Sequence, residues 1–289
     1  MLVLFTDTDC DVSPKLAEEL GYKLISMPYE IQGKSTRPFV DFEEFEPHPF
    51  YEQLRKGVIP NTYALNPFNY REYFEPIFKN GDDILYVHFS SSMSGTFNAM
   101  RIALDELKEE YPDRNLYEID TKGITILSLI IVYEVSKLYK QGKSVEEILK
   151  WAEEEVDHFT VYFFAEDLNF FKHSGRVSGL AAFFGTLIGI RPIMFMDVDG
   201  KMKTCGKEHG RKNACRHLVN RMKELGDNVK DYHIIIGNSD FKEGVDALIG
   251  FLKEEFGDDI KYDIVDINPT IGSHCGPNAI GLCFHSTRR

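Results

Sequence analysis

Cysteine, basic charge and long apolar runs are all scarce in this sequence, and each shortage excludes a class of protein. The five cysteines form no C-x-x-C pair, so neither a disulfide framework nor a zinc site built on such pairs is predicted. A net charge of −13 at pH 7 leaves no basic patch for nucleic acid. The apolar run over residues 124–133 is far shorter than the roughly 20 residues of a membrane span.

The first residues, MLVLFTDTDCD, also lack the basic start of a signal peptide. We therefore expect a reduced, cytoplasmic protein with no nucleic-acid partner and no membrane span.

Sequence patterns for hydrolysis and nucleotide binding are missing as well. The nucleophile elbow G-x-S-x-G does not occur, which weakens the hypothesis of an α/β-hydrolase. GKST at 33–36 and GKS at 142–144 resemble part of a P-loop, but Pro28 and Lys137 stand where its first glycine belongs. No G-x-G-x-x-G is present either. We therefore expect no cofactor.

The segment DTDCDV suggests a calcium loop, because Asp7, Asp9, Asp11 and Glu18 are spaced like the ligands of such a loop. Val12, however, replaces the glycine that its sharp turn requires. A helix with Ser13 as its N-cap also begins inside the would-be loop. We therefore expect no metal site here.

The order of predicted elements indicates an α/β fold. Strands are predicted at residues 2–5, 24–31, 84–89 and 116–119, with helical segments between them. This alternation is typical of a three-layer domain with a mainly parallel sheet, which we place at residues 1–158.

Residues 159–289 are predicted to form a second three-layer α/β domain. Its expected elements are strands at 160–165, 192–197, 232–237, 261–267 and 280–285, and helices at 178–189, 211–225 and 242–256. DVDG at 197–200 is a hairpin signal, so this sheet is expected to be mixed. No linker rich in Gly, Ser or Pro separates the halves. We therefore expect two docked α/β/α domains with a ligand cleft between them.

The segment LYVHFSSSMSGTFNAM, residues 85–100, places a cluster of hydroxyl groups between a buried strand and an amphipathic helix. Ser94 stands where the N-cap of that helix is expected. Free backbone N–H groups and hydroxyls at a helix start favour an anion site. The ordinary alternative is that Ser94 only caps the helix and that Ser90, Ser91 and Ser92 only satisfy the end of the strand.

Three other loops carry candidate binding residues. PNTYALNP at 60–67 contains Thr62, and FKHSGRVSG at 171–179 places Arg176 in a glycine-flanked turn. GSHCGPNAIG at 272–281 sets His274 between glycines, where the backbone is expected to approach a ligand closely. Each residue also has an ordinary interpretation, as a turn hydroxyl, a surface charge and a packed loop histidine.

Taken together, these motifs resemble those of the DegV family, the fatty-acid-binding proteins that serve as acyl-presenting subunits of bacterial fatty-acid kinase. The family's threonine after a proline turn corresponds to Thr62, and its S-x-S-G-T turn puts the carboxylate-binding serine at Ser94. Its G-R-[IV]-S turn matches residues 175–178, and its G-x-H-x-G-P loop matches residues 272–277. The resemblance covers nearly the whole chain, and four motifs in the same order make it specific.

The resemblance implies that the chain binds a long-chain fatty acid in an apolar tunnel between the domains. The groups implied to bind its carboxylate belong to Thr62, Ser94, Gly95 and His274. The candidates for the tunnel wall are Phe183, Phe184 and Leu187. Arg176 would contact a separate ATP-dependent kinase that phosphorylates the presented carboxylate, so the chain alone would perform no chemistry.

The sequence departs from the family pattern beside these motifs. Tyr63 and Ala64 follow Thr62 where the family has Ser-Gln, Leu127 and Leu129 replace glycines, and Asn278 follows Pro277. These larger side chains bear on which acyl chain fits. Two other functions stay open: a lipid buffer or sensor without a kinase partner, and an acyl hydrolase or transferase that uses Ser94 with His274 as base.

Overall fold

The structure, a computed structural model, describes residues 1–177 and 189–289 of the chain. In these ranges it contains thirteen strands and ten α-helices. The strands are β1 (Leu2–Asp7), β2 (Tyr22–Ile25), β3 (Tyr29–Ile31), β4 (Lys34–Thr36), β5 (Asn61–Thr62), β6 (Asp83–His88), β7 (Leu116–Asp120), β8 (Phe159–Ala165), β9 (Ile190–Met196), β10 (Met202–His209), β11 (Ile235–Asn238), β12 (Asp263–Asp266) and β13 (Ala279–His285). The helices are α1 (Pro14–Leu20), α2 (Pro47–Arg55), α3 (Pro67–Lys79), α4 (Thr96–Glu110), α5 (Ile126–Lys140), α6 (Val145–Glu155), α7 (Asn169–Ser174), α8 (Arg211–Leu225), α9 (Lys242–Phe256) and α10 (Pro269–Cys275).

The first half of the chain forms a parallel sheet with strand order β2-β1-β6-β7, and each neighbouring pair of strands runs parallel. Their carboxyl ends therefore share one edge of the sheet. After β1 the chain continues to β2 at one edge of the sheet, and after β6 it continues to β7 at the opposite edge. Such a switch point opens a crevice between the two following loops, residues 8–13 and 89–95.

The second half forms a mixed sheet with strand order β10-β9-β8-β13-β11-β12, in which only β11 and β12 pair in parallel. Strand β8 alternates between the two faces of this sheet, as a pleated strand requires. Val161 and Ala165 face the core that contains α5, whereas Tyr162 and Phe164 face a second core with α8 and α9. The predicted fold, with a parallel and a mixed sheet, is confirmed.

Helix α5 lies between the two sheets and packs against β6 on one side and against β8, β11 and β13 on the other. Its first seven residues, Ile126–Val132, are all buried. A helix that is apolar on every face has to be covered on every face. The core of the parallel sheet therefore continues through α5 to the inner face of the mixed sheet.

The single strand predicted at residues 24–31 is wrong, because the structure divides it. β2 ends at Ile25, and β3 pairs instead with β4 and β5 in a small antiparallel sheet. Between them, Ser26 N–H donates to the Tyr73 hydroxyl over 3.2 Å and Met27 N–H donates to Thr8 Oγ1 over 2.9 Å. Pro28 has no N–H to continue the ladder.

The boundary between residues 158 and 159 stays a prediction. Strand β8 begins there, at Phe159, but the apolar core around α5 crosses it. Within the described ranges, none of the helices has both the length and the apolar character needed to cross a membrane.

Replacing Leu129 of α5 with alanine is expected to lower the free energy of unfolding by about 2–5 kcal/mol, because a fully buried side chain leaves a cavity between two sheets. Urea denaturation measures the loss. Ile102→Ala is the matched control, since this α4 side chain is 52% exposed and its removal is expected to cost within about 0.5 kcal/mol. A cost below about 1 kcal/mol for Leu129→Ala would contradict the central position of α5.

Candidate functional site

A cavity of about 210 Å³ lies between the two sheets, at the crevice beyond β1 and β6. Much of its lining is apolar. The apolar side chains include those of Met27, Phe89, Met93, Ile124, Ile126, Val161, Phe163, Phe171, Ile267 and Ile271. The polar residues that line the same cavity include Asp9, Thr62, Ser94, Thr125, Arg176 and His274. Four separately predicted motifs are thus brought to one place.

The serines of residues 90–94 divide into two groups. The Ser90 and Ser92 hydroxyls donate to the carbonyls of Gly200 and Asp199, both over 2.7 Å, and Ser91 Oγ donates to Asp120 Oδ2 over 2.6 Å. These three hold the loop against β7 and the β9–β10 hairpin. Only Ser94 lines the cavity.

Ser94 is not the N-cap of α4, so that prediction is wrong. Gly95 is the cap residue, and its φ of −74° already belongs to the helical region. Ser94 Oγ accepts a hydrogen bond from Thr96 N–H over 3.2 Å and keeps its own O–H to donate. The N–H groups of Ser94 and Gly95 make no hydrogen bond within the part of the chain that the structure describes. The turn therefore presents free donors beside the cavity.

Thr62 and His274 form a hydrogen bond at the cavity wall, with 2.8 Å between Thr62 Oγ1 and His274 Nε2. Thr62 belongs to β5, which pairs with β3, and His274 belongs to α10. The expectation of a loop around His274 is wrong, since the Asn268 side chain caps α10 by accepting from Ile271 N–H over 3.1 Å.

The glycines on either side of His274 serve packing inside the protein. A Cβ on Gly272 would lie 2.6 Å from the Tyr51 hydroxyl, and one on Gly276 would lie 2.2 Å from the Phe170 ring. Gly276 also has a φ of 69°, which ends the helix. The sequence predicted that the backbone at these glycines approaches a ligand closely. In the structure the backbone approaches two buried aromatic side chains instead.

His274 is neutral at pH 7. Burial, together with the smaller effect of the positive charge of Arg176, lowers its pKa from 6.5 to about 4. A neutral imidazole donates from one nitrogen only. If Nε2 carries the proton, it donates to Thr62 Oγ1, and the Thr62 hydroxyl is then free to donate into the cavity.

Arg176 is exposed and follows Gly175, the C-cap residue of α7, whose φ is 65°. Its guanidinium donates to the Ser174 carbonyl, and the residue is among those that line the cavity. The predicted tunnel residues Phe183, Phe184 and Leu187 lie outside the described residues.

The departures from the family pattern at residues 63–64 and at residues 127 and 129 lie in different surroundings. Tyr63 and Ala64 line the cavity, and the Tyr63 hydroxyl donates to Ser35. Leu127 and Leu129, by contrast, are fully buried in the apolar core around α5. Leu127 fills the space above Gly123, where an added Cβ would lie 2.6 Å from Leu127 Cγ.

Metal-ligating side chains converge at one place in the described ranges, where His48, Glu52 and Asp240 meet at the surface. Arg55 donates to Glu52 Oε1 over 2.9 Å and to Asp240 Oδ2 over 2.5 Å, so a guanidinium already neutralises these carboxylates. None of these three metal-ligating residues, His48, Glu52 and Asp240, lines the cavity.

Asp7 and Asp11 of DTDCDV form hydrogen bonds within the fold. Asp7 Oδ2 accepts from the Tyr86 hydroxyl over 2.9 Å, and Asp11 Oδ1 accepts from Asn268 Nδ2 over 2.7 Å. Asp9 and Thr125, which also line the cavity, were not predicted as site residues. The position of Asp9 directly after the first strand is the signal that could have indicated it.

Fold and site together define a class of α/β protein in which a largely apolar cavity between a parallel and a mixed sheet carries hydroxyl, imidazole and guanidinium groups. The model of the family described as "Uncharacterised protein, DegV family" matches residues 1–287. The chain belongs to the DegV family.

The similarity to other proteins extends over nearly their whole length and supports this assignment. A DegV domain-containing protein of Clostridium perfringens is 32% identical over 98% of this chain and 96% of its own. A stearic-acid-binding protein from Eubacterium ventriosum has a TM-score of 0.86 at 22% identity, covering 99% and 98% of the two chains. A DegV family protein from Thermus thermophilus, described by its fatty-acid binding, has a TM-score of 0.83 at 23% identity, covering 99% of both.

The His274 imidazole is expected to titrate near pH 4 in an NMR titration, well below the roughly 6.5 of an ordinary histidine. Unfolding restores the ordinary value, so the stability contributed by neutral His274 is complete above about pH 6.5 and is lost as the pH falls through about 4. Arg176→Ala is expected to raise this pKa, whereas the exposed Arg101→Ala serves as control and leaves it unchanged. An ordinary titration in the unaltered protein would contradict this account.

Proposed function

We propose that this protein binds a long-chain fatty acid in the cavity between its two sheets. The observation that carries the proposal is the presence, in one largely apolar cavity, of the Thr62–His274 pair and the Ser94 turn with its free N–H groups. A carboxylate on a hydrocarbon chain matches this combination of neutral donors and apolar wall. The fatty-acid and stearic-acid binding of the relatives from Thermus thermophilus and Eubacterium ventriosum supports it.

The carboxylate is bound by neutral groups in this proposal. Thr62 and Ser94 donate their hydroxyls, and the backbone N–H groups of Ser94 and Gly95 add donors at the start of α4. Neutral His274 donates to Thr62 Oγ1 and so orients the threonine hydroxyl. This arrangement avoids the desolvation cost of a buried cationic side chain.

The hydrocarbon tail supplies most of the affinity. Each buried methylene contributes about 0.8 kcal/mol, so a chain with about 14 methylenes gains roughly 11 kcal/mol before ordering costs. Phe163, Ile126 and Met93 are among the side chains that the tail contacts. Phe183, Phe184 and Leu187 stay predictions for the rest of the wall.

The hydrolase or transferase alternative has no geometric support. A serine nucleophile needs a base within hydrogen-bond reach. Among the described residues His274 Nε2 is bonded to Thr62 and forms no hydrogen bond with Ser94. The buffer or sensor alternative differs from the presenting role only in lacking a partner enzyme.

Thr62→Ala and Ser94→Ala are each expected to weaken fatty-acid binding about 10- to 150-fold, because each removes a donor to a charged group. Displacement of a fluorescent fatty acid measures the affinity. The control is Ser92→Ala, whose hydroxyl bonds the Asp199 carbonyl outside the cavity and whose loss is expected to change affinity by less than about twofold.

Native mass spectrometry and solvent extraction of the purified protein test the proposal itself, with a retained fatty acid as the expected result. No retained lipid, together with no uptake of added fatty acid, would overturn it. Unchanged affinity in both donor variants would place the carboxylate elsewhere.

We further propose that the bound carboxylate is presented to a separate ATP-dependent kinase, with Arg176 at the contact. Arg176 is exposed, lines the cavity and lies close enough to His274 to lower its pKa. A guanidinium in this position suits an acidic patch on a partner or the negative charge of a developing acyl phosphate.

Arg176→Ala is expected to keep fatty-acid affinity within about threefold, because an exposed charge contributes little to binding. Phosphorylation of the bound acid by the cognate kinase is expected to fall about tenfold or more. Affinity and ATP consumption are measured on the same variant, with Arg101→Ala as control. Full kinase activity would give Arg176 a plain surface role, and lost ligand binding would place it in the carboxylate site.

A further inference from the structure

Asp9 is a buried carboxyl group that the proposed carboxylate site does not use. The residue lines the cavity and is 5% exposed, and neither of its carboxyl oxygens makes a hydrogen bond in the described part of the chain. The backbone of Asp9 is fully used, since its N–H donates to Asp7 Oδ1 over 3.0 Å and its carbonyl accepts from Thr125 N–H over 2.8 Å. The backbone therefore fixes this carboxyl at the cavity wall.

The surroundings of this carboxyl group favour its protonated form. Burial raises the pKa of Asp9 well above its ordinary value, and the nearby negative charges of Asp7 and Asp11 raise it further. A protonated carboxyl has one O–H donor and also accepts. Left without a partner, such a buried group costs about 1–3 kcal/mol. A plain hydrocarbon tail beside Asp9 would leave that cost in place.

Thr125 adds a second polar group at the same place. It precedes α5, lines the cavity and has a φ of 53° with a ψ of −130°, a conformation that is strained for threonine. Its hydroxyl makes no hydrogen bond to the other residues that the structure describes. Asp9 and Thr125 thus form a polar spot at the start of α5, whereas Thr62 and His274 bond each other between β5 and α10.

From this geometry we infer that Asp9 selects fatty acids that carry an additional oxygen on the acyl chain, a hydroxyl group being the simplest case. The hydroxyl accepts from the Asp9 carboxyl and donates back to it or to Thr125. The inference rests on the proposed binding of a fatty acid and adds the class of acyl chain.

The test compares octadecanoic acid with a set of hydroxyoctadecanoic acids that differ only in hydroxyl position, by displacement of a fluorescent fatty acid. At least one positional isomer is expected to bind the unaltered protein about tenfold more tightly than octadecanoic acid. In Asp9→Leu this preference is expected to disappear, because an apolar side chain needs no partner. Asp9→Asn retains polar groups of the same shape and is expected to keep part of the preference.

Ser94→Ala is the control for the carboxylate end, and it is expected to weaken all the acids equally while keeping their ratio. Equal affinity of the unaltered protein for octadecanoic acid and every isomer would overturn the inference and leave the proposed function intact. Equal weakening of both kinds of acid by Asp9→Leu would also overturn it, by placing Asp9 at the carboxylate. No binding of any acid would instead remove the proposed function.

Discussion

Helix α5 has no solvent-facing side along its first two turns, and this burial fixes the relation between the two halves of the chain. The parallel sheet covers one side of the helix and the mixed sheet the other. Neither sheet can move without uncovering apolar side chains such as Leu129 and Ile130. The crevice at the start of α5 is therefore a permanent feature of the packing, and the cavity occupies it.

The polar groups of the cavity depend on the same arrangement. Ser94 lies in the turn between β6 and α4, Thr62 in the small sheet and His274 in α10, so each is positioned by a different part of the fold. Their positions are set before a ligand arrives, which reduces the entropy that binding costs. The neutrality of His274 follows from its burial, so the donors of the proposed site are all uncharged.

Local patterns in the sequence were enough to predict most of the elements and the two kinds of sheet. The helix over residues 211–225 and the strand beside Ser94 are recognisable from apolar spacing and end signals alone. The contact between Thr62 and His274 joins residues 212 positions apart, and such a contact depends on packing that no local pattern encodes. Helix α10 was missed because Gly272 and Gly276 indicate a loop, whereas the fold uses them to admit Tyr51 and Phe170.

The central position of β13 has a consequence for how the chain folds during synthesis. β13 lies between β8 and β11 in the mixed sheet, yet it follows every other strand in the chain. Until β13 has been synthesised, β8 and β11 have no common neighbour, and the part of α5 that packs against β13 is uncovered. The apolar surface of α5 is thus covered completely only after the last strand has formed, and a chain that ends before β13 exposes part of it.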